Sequence, residues 1–444
     1  MIKKLCFLFL LLPSILLAQH TIKGTFSPAE EFNFAILYKV TPTNSVYIVN
    51  TEINEDGSFI FQLDSTVTKG MYRIVYALPQ EEFNFDLIYN AEEDIELAFN
   101  LDKGVSYLTS KENILLTSYF KNTDLISQKI NQFYNQEQQD KESFTSIFKI
   151  LRDTQAEFEN AAQGTIALEF IKASRSYIPI DLEDAKTFLN NFKASYFNHI
   201  DYGNDILVNS NFLIESTLNY VFTFVDSTDK NTSYKSNIDT IVKEIGNHPI
   251  IKKVLLEILW NQFAEQQNEI VANYISTTYL LSIAKAKNDE DLIGLLTSFE
   301  TISNGKTAPD FVIKTEIEGS KNLTELYLAQ NYILVFWSSS CSHCLTELPK
   351  LQSYIRPLNK NKLQVIAIGL ENEQKSWEEK TKELSNFTHV YGEGKWENKI
   401  GNTYGVVATP TYFVLDKDKK IIAKPNDVEA LIIILNKIVS KEEN

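Results

Sequence analysis

The stretch Phe336-Trp337-Ser338-Ser339-Ser340-Cys341-Ser342-His343-Cys344 decides the fold of the C-terminal third of this 444-residue chain. The residues that lead into it are apolar, as in a buried strand, and those that follow have the spacing of a helix. Cys341 therefore stands at the start of a helix, where unpaired backbone N–H groups and the helix dipole favour a thiolate. Cys344 is one turn further on, about 5–6 Å away at Cβ, so a modest adjustment closes a disulfide. The sequence predicts a reversible dithiol, with Cys341 as the exposed nucleophile and Cys344 as its buried partner.

The segments around this junction alternate between strand and helix. A strand is predicted at Tyr332–Trp337, a helix from about 342 to 358, a strand at Leu363–Gly369 and a helix around 374–384. The chain then predicts two strands, Thr411–Leu415 and Lys420–Ala423, and a final helix from about 427 to 439. Alternating strands and helices followed by an antiparallel pair indicate an α/β domain over about 303–444.

The rest of the chain divides by its hydrophobic period. Residues 19–104 contain short β-branched and aromatic runs separated by turn signals such as Asp56-Gly57, which predicts an all-β sandwich. Residues 105–302 change to a helical period and predict an all-α domain. We therefore expect a multidomain protein with boundaries near 104 and 302.

The N-terminus has the features of a secretory signal. Lys3 and Lys4 precede an apolar run from Leu5 to Leu17, and Ala18 offers a small residue for cleavage. The run is shorter than the ~20 residues that span a bilayer. Cys6 precedes the apolar run instead of following it, which argues against a lipoprotein anchor. The sequence predicts a signal peptide at 1–18 and a soluble periplasmic protein.

Charge and cysteine content exclude several classes of function. The net charge of −16 argues against nucleic acid or an anionic membrane surface as a partner. Once Cys6 has left with the signal, two of the three cysteines remain, too few for a disulfide scaffold. The histidines are scattered without the spacing of a four-ligand zinc site. No metal and no cofactor are predicted.

Further residues near the cysteine pair have candidate roles. Glu347 lies one turn beyond Cys344, where a partly buried carboxylate could exchange a proton with that thiol; an ordinary solvated Glu is the alternative. Pro349 within the predicted helix costs about 3 kcal/mol, and a kink that shapes the helix is one reason for it. Thr409-Pro410, just before a strand, is a candidate cis peptide bond.

Three motifs together carry a family resemblance. Phe336 to Cys344, then Glu347-x-Pro349, then Tyr404-Gly405-Val406-x-x-Thr409-Pro410-Thr411 resemble the TlpA/ResA-type extracytoplasmic thioredoxins over about residues 303–440. The resemblance implies a thioredoxin fold in which Cys341 attacks, Cys344 resolves and the loop at cis-Pro410 docks the substrate peptide. It also implies that Glu347 is the acidic residue characteristic of that group. The β-plus-helical extension resembles the one carried by many thioredoxin-like proteins of Bacteroidota.

The activity that this resemblance implies is thiol–disulfide oxidoreduction, in which disulfides of exported proteins are reduced, oxidised or exchanged. The expected partners are these substrates and a membrane electron donor or acceptor. Two departures from the family leave the direction of electron flow open. Ser340 stands where Trp is frequent, and Ser342-His343 replaces Pro-Pro or Glu-Pro between the cysteines.

Four residues are expected to tune the redox potential: Ser342, His343, Trp337 and Thr409. An imidazolium at His343 close to the Cys341 sulfur would stabilise the thiolate and make the disulfide more oxidising than that of thioredoxin. A solvated His343 that points away from the sulfur is the alternative.

Two other functions are compatible with the domain. In a peroxiredoxin, Ser338 would fit the hydroxyl position before the reactive Cys, but Leu334 stands where Pro is expected and Cys344 follows too closely. In a non-catalytic docking protein, neither cysteine would be needed. Insulin-disulfide reduction and peroxide consumption discriminate among the three.

Overall fold

The computed structural model describes residues 20–136, 140–315, 319–327 and 329–441, so the predicted signal peptide lies outside the described residues. The chain divides into two compact units, one up to Ile258 and one from Leu259, and the division falls within a helix. Within the described ranges, none of the helices combines the length and apolar character needed to cross a bilayer.

The N-terminal part of the first unit is a β-sandwich. Its strands are β1 (His20–Ser27), β2 (Phe34–Lys39), β3 (Val46–Glu52), β4 (Ser58–Leu63), β5 (Gly70–Val75), β6 (Asn84–Tyr89), β7 (Ile95–Asn100) and β8 (Gly104–Tyr107). They form two four-stranded sheets, ordered β4-β1-β7-β8 and β3-β2-β5-β6. Burial alternates along β1 and β4, and inward side chains of both sheets, such as Phe61 and Tyr72, share one core. The predicted sandwich is confirmed.

The middle of the chain is helical, as predicted. Its helices are α1 (Lys111–Tyr134), α2 (Lys141–Ala161), α3 (Ala167–Ala173), α4 (Ala185–Ser195), α5 (Asp205–Val208), α6 (Phe212–Thr223), α7 (Lys230–Ile245), α8 (Pro249–Glu265), α9 (Glu269–Ile275), α10 (Leu281–Lys287) and α11 (Glu290–Thr301). Aspartates begin several of them, because a carboxylate accepts the free N–H groups of the first turn. The N-caps Asp140, Asp184, Asp229 and Asp289 each make this bond.

The last part of the second unit is an α/β domain. Its elements are β9 (Val312–Thr315), β10 (Gly319–Asn322), β11 (Asn331–Trp337), α12 (Ser342–Ile355), β12 (Leu363–Glu371), α13 (Gln374–Thr381), β13 (Thr388–Glu393), α14 (Lys399–Thr403), β14 (Thr411–Asp416), β15 (Ile421–Ala423) and α15 (Val428–Lys441). A five-stranded sheet has the order β13-β12-β11-β14-β15. β11, β12 and β13 are parallel, and β14 and β15 are antiparallel to their neighbours. The α/β prediction is confirmed.

The sheet is covered on both faces, which explains the continuous apolar run of β11. Trp337 and Val335 face a core that includes Leu351 of α12 and Leu431 of α15. Alternate side chains of the same strands face a second core around Tyr404. The sequence did not predict β13, since this edge strand is mostly half-buried and lacks a clear apolar run.

Residues just before the α/β domain pack within the same unit. Glu269 of α9 is buried; its Oε2 accepts the backbone N–H of Asn304 at 2.5 Å, and it forms an ion pair with Lys424. The Asn273 amide donates to the Ser303 hydroxyl at 2.8 Å. These polar contacts tie α9 to the segment that enters the α/β domain.

Candidate active site

The first turn of α12 brings the two cysteines together. Cys341 is the N-cap of the helix, and its Sγ accepts the backbone N–H of Cys344 at 3.2 Å. On its other side the Sγ donates to the carbonyl oxygen of Thr409 at 3.3 Å. Both cysteines are free thiols; Cys341 is partly exposed, whereas Cys344 is fully buried. The expected order of exposure is confirmed.

The two thiols differ in acidity. Burial works against ionisation of Cys341, but hydrogen bonds from the side chains of Cys344 and Thr409, together with those from the backbone N–H groups of Cys344 and His343, lower its pKa below the ordinary value. Burial, reinforced by the hydrogen bond with Cys341, raises the pKa of Cys344 to about 12. The arrangement produces one nucleophilic thiolate and one thiol that needs a base before it can react.

Glu347 lies on the buried side of α12, so it is not the solvated surface residue that was the alternative. The residue as a whole is 3% exposed. Oε2 accepts the hydroxyl of Tyr412 at 2.8 Å and the backbone N–H of Val428 at 3.2 Å. Burial and the hydrogen bond to Glu347 raise the pKa of Tyr412, which keeps that hydroxyl protonated and donating. Glu347 is therefore a fixed carboxylate one turn beyond Cys344.

The sequence left two positions open for the His343 imidazole, one near the Cys341 sulfur and one in solvent away from it, and the structure shows it paired with Glu347. The imidazole Nε2 lies 2.8 Å from Oε1 of Glu347. Only the backbone N–H of His343 contributes to the lowered pKa of Cys341. The reason is helical geometry, because residues i and i+4 share a face and an imidazole pairs readily with a carboxylate there.

The other expected residues lie around the same turn. The Thr409–Pro410 peptide bond is cis, as predicted. Trp337 is fully buried and lines a cavity of about 110 Å³ together with Cys344. Ser342 is exposed at the first position of α12, where its carbonyl accepts the Thr346 hydroxyl at 3.1 Å.

Glu371, which the sequence argument did not select, holds the loop before Cys341. This buried carboxylate at the end of β12 accepts the backbone N–H of Ser339 and, at 3.3 Å, the hydroxyl of Ser338. The Ser338 hydroxyl also lies 3.0 Å from that of Ser340. The sequence feature that could have identified Glu371 is its place at the carboxyl end of β12. Because β11 and β12 are parallel, their carboxyl ends meet at one edge of the sheet.

The sequence analysis also did not select Tyr412 as a site residue. The two-residue period of β14 could have identified it, because alternate side chains of a strand face opposite sides of the sheet. Tyr412 and Val414 face the core that contains Cys344, whereas Phe413 and Leu415 face the other.

In the described ranges, no group of three or more His, Cys, Asp or Glu side chains is arranged to hold a metal ion.

Sequence comparisons find similarity to known proteins. The AhpC/TSA family matches residues 304–424. The thiol-disulfide oxidoreductase ResA of Bacillus thuringiensis subsp. konkukian is 29% identical over 130 residues, which cover 29% of this chain and 73% of that protein. The thioredoxin-like protein YneN of Bacillus subtilis is 26% identical over 116 residues, 26% of this chain and 67% of that protein.

Solved structures are also similar. A thioredoxin-like protein from Bacteroides caccae matches with a TM-score of 0.43 and 15% identity, over 58% of this chain and 96% of that one. A domain of a possible thiol-disulfide isomerase from Cytophaga hutchinsonii matches with a TM-score of 0.27 and 30% identity, over 32% and 95%. From the strand order, the cysteine pair and the family match, residues 304–424 form a thioredoxin-like domain that matches the AhpC/TSA family and is similar in sequence to ResA.

Proposed function

We propose that this protein is an extracytoplasmic thiol-disulfide oxidoreductase that acts through Cys341 and Cys344. The observation that carries the proposal is the unequal pair at the start of α12. The Cys341 sulfur is partly exposed with a lowered pKa, and the fully buried Cys344 has a pKa of about 12. The Cys341 thiolate can attack a disulfide, whereas Cys344 stays protonated until Cys341 has formed a mixed disulfide with the substrate.

In the reducing direction, the Cys341 thiolate attacks one sulfur of a substrate disulfide, and the other substrate sulfur leaves as a thiolate. Cys344 then loses its proton to Glu347 and attacks the Cys341 sulfur. The second substrate thiolate leaves, so the substrate gains two electrons and the protein becomes the Cys341–Cys344 disulfide. The reverse sequence oxidises a dithiol substrate. The loop at Thr409 and Pro410 lies beside the reacting sulfur, which supports a role in docking the substrate peptide.

The proposed substrates are exported proteins that carry thiols or disulfides, and a membrane protein is the proposed source or acceptor of electrons. The apolar run from Leu5 to Leu17 and the similarity to ResA support this placement outside the cytoplasm. Export of the intact chain and the mass of the mature N-terminus test it directly.

The catalytic proposal is tested with wild type, Cys341→Ser and Cys344→Ser. Wild type should reduce insulin disulfides with dithiothreitol as the electron source, and Cys341→Ser should not. Cys344→Ser should retain captured partners as mixed disulfides that dithiothreitol releases. Peroxide consumption without insulin reduction would indicate a peroxidase instead, and neither activity would indicate a docking protein.

A further inference from the structure

The His343 imidazole connects a buried carboxylate to solvent. Its side chain is 67% exposed, whereas that of Glu347 is 4% exposed, and the imidazole Nε2 is 2.8 Å from Oε1. The second carboxylate oxygen is already occupied by Tyr412 and by the backbone of Val428. Tyr412, which donates to Glu347, belongs to the same buried cluster as Cys344. The pair therefore spans the boundary between this part of the protein interior and the surrounding water.

The other titratable groups near this pair already have hydrogen-bond or ion-pair partners. Tyr412 of β14 keeps its proton because burial and its bond to Glu347 raise its pKa. Lys350 of α12 pairs with Glu429 of α15 at 2.7 Å, and that partner, with smaller contributions from Glu347 and Asp427, raises the Lys350 pKa. Histidine is the side chain that ordinarily changes charge between pH 5 and 8. Among these neighbours, His343 is the group that both contacts the buried carboxylate and reaches solvent.

We propose that His343 is a positioning residue of the resolving step, in which it relays the Cys344 proton from Glu347 to solvent. This rests on the proposed function and assigns His343 to the second half of the reaction rather than to the acidity of Cys341. When Cys341 is in a mixed disulfide, Cys344 must ionise to attack it. Its proton passes to Glu347, then to the neutral imidazole of His343, and the imidazolium releases it to water. Glu347 returns to the carboxylate form after each turnover.

The relay predicts that substitution of His343 slows the resolving step by Cys344 and leaves the attack by Cys341 nearly unchanged. Reduced protein reacts with 5,5′-dithiobis(2-nitrobenzoate) and releases one coloured thiolate when Cys341 attacks and a second when Cys344 resolves. His343→Gln keeps a donor for Glu347 but cannot be charged. The first release should stay within about twofold of wild type, because the backbone of His343, not its side chain, acts on Cys341. The second should slow about tenfold and lose its pH dependence between pH 5 and 8.

Two further variants separate a proton relay from a structural effect. Lys350→Gln removes a positive charge near the same carboxylate without removing a group that titrates near neutrality, and its second release should follow wild type. His343→Ala should resolve slowly, and added imidazole should restore the rate, since the position is open to solvent. Unfolding midpoints in urea verify that all variants are folded.

Three outcomes would overturn the relay: a His343→Gln second release with the wild-type rate and pH profile, an equal slowing in Lys350→Gln, or no rescue of His343→Ala by imidazole. The first would indicate that the proton leaves through another route, such as the cavity that Cys344 lines with Lys380 and Glu383. A wild-type protein that releases no coloured thiolate would instead remove the proposed function, and the relay with it. The presence or absence of the first release distinguishes these failures.

Discussion

The Sγ atom of Cys341 lies 3.3 Å from the carbonyl oxygen of Thr409, whose peptide bond to Pro410 is cis. The contact joins two motifs that are 68 residues apart in the sequence, one at the junction of β11 and α12 and the other at the start of β14. A peptide that reaches the Cys341 sulfur therefore meets the backbone of Thr409 at the same time.

Cys341 should be alkylated long before Cys344. At pH 6.5 nearly all thiolate is at Cys341, because its pKa is lowered while burial raises that of Cys344 to about 12. Iodoacetamide should label Cys341 at least about 100-fold faster, as measured by peptide mass spectrometry. The Cys344→Ser variant should keep this fast labelling, and preferential labelling of Cys344 in wild type would reverse the assignment.

Gly369→Ala should destabilise the α/β domain. A Cβ at this position of β12 would lie 2.2 Å from the indole nitrogen of Trp377, a ring with little room to move. We expect a loss of about 1–3 kcal/mol in the free energy of unfolding and a change in tryptophan fluorescence. Gly294→Ala in α11 is the matched control, since its Cβ meets no atom within 4 Å and alanine favours a helix. An unchanged unfolding midpoint in Gly369→Ala would contradict this packing.

A fragment that begins at residue 303 should be less stable than one that begins at 259. The shorter fragment lacks Glu269 and Asn273 and leaves Lys424 and Ser303 without these partners. In the longer fragment, Glu269→Ala should cost about 3 kcal/mol, because it removes one member of a largely buried ion pair. Urea unfolding and limited proteolysis measure both effects. Equal midpoints for the two fragments would show that α9 and α11 add nothing to the domain.

Tyr412 and Glu347 should be energetically coupled. Tyr412→Phe removes the hydroxyl that donates to Oε2, and Glu347→Gln removes the charge that accepts it. A double-mutant cycle on the free energy of unfolding should give a coupling of about 1.5–3 kcal/mol, as for hydrogen bonds to charged groups. A cycle that closes with no coupling would mean that the two side chains do not interact in solution.

His389 should make the protein less stable in acid. Burial lowers its pKa, and this outweighs the opposing effect of its hydrogen bond to the Leu384 carbonyl. The folded state thus prefers the neutral ring. Its stabilising contribution is complete above the unfolded pKa of about 6.5 and is lost as the pH falls through the lower folded pKa. His389→Gln should lose less stability than wild type between pH 7.5 and 5 in urea unfolding, and an identical loss would contradict the assignment.

The fold classes of the three regions, the relative exposure of the two cysteines and the cis bond at Pro410 could be predicted, because each depends on local chemistry or a linear motif. The partner of His343 could not, because the alternatives that the sequence offered were the Cys341 sulfur and solvent, and the pairing with Glu347 depends on how the tertiary structure buries that carboxylate. Glu371 acts on a loop more than thirty residues earlier in the chain, and only the register of β11 with β12 brings them together. Long-range polar contacts of this kind leave no periodic pattern in a sequence.

The sulfur of Cys341 also caps helix α12, since it accepts the Cys344 N–H. A sulfur engaged in a disulfide carries no negative charge and is a weaker acceptor, so we expect oxidation to loosen the first turn of the helix. An N-cap contributes about 1 kcal/mol, which corresponds to roughly fivefold faster exchange of that amide proton when the cap is lost. The hydrogen–deuterium exchange rate of the Cys344 amide should therefore differ between the dithiol and disulfide forms. It reports the oxidation state without chemical modification of either cysteine.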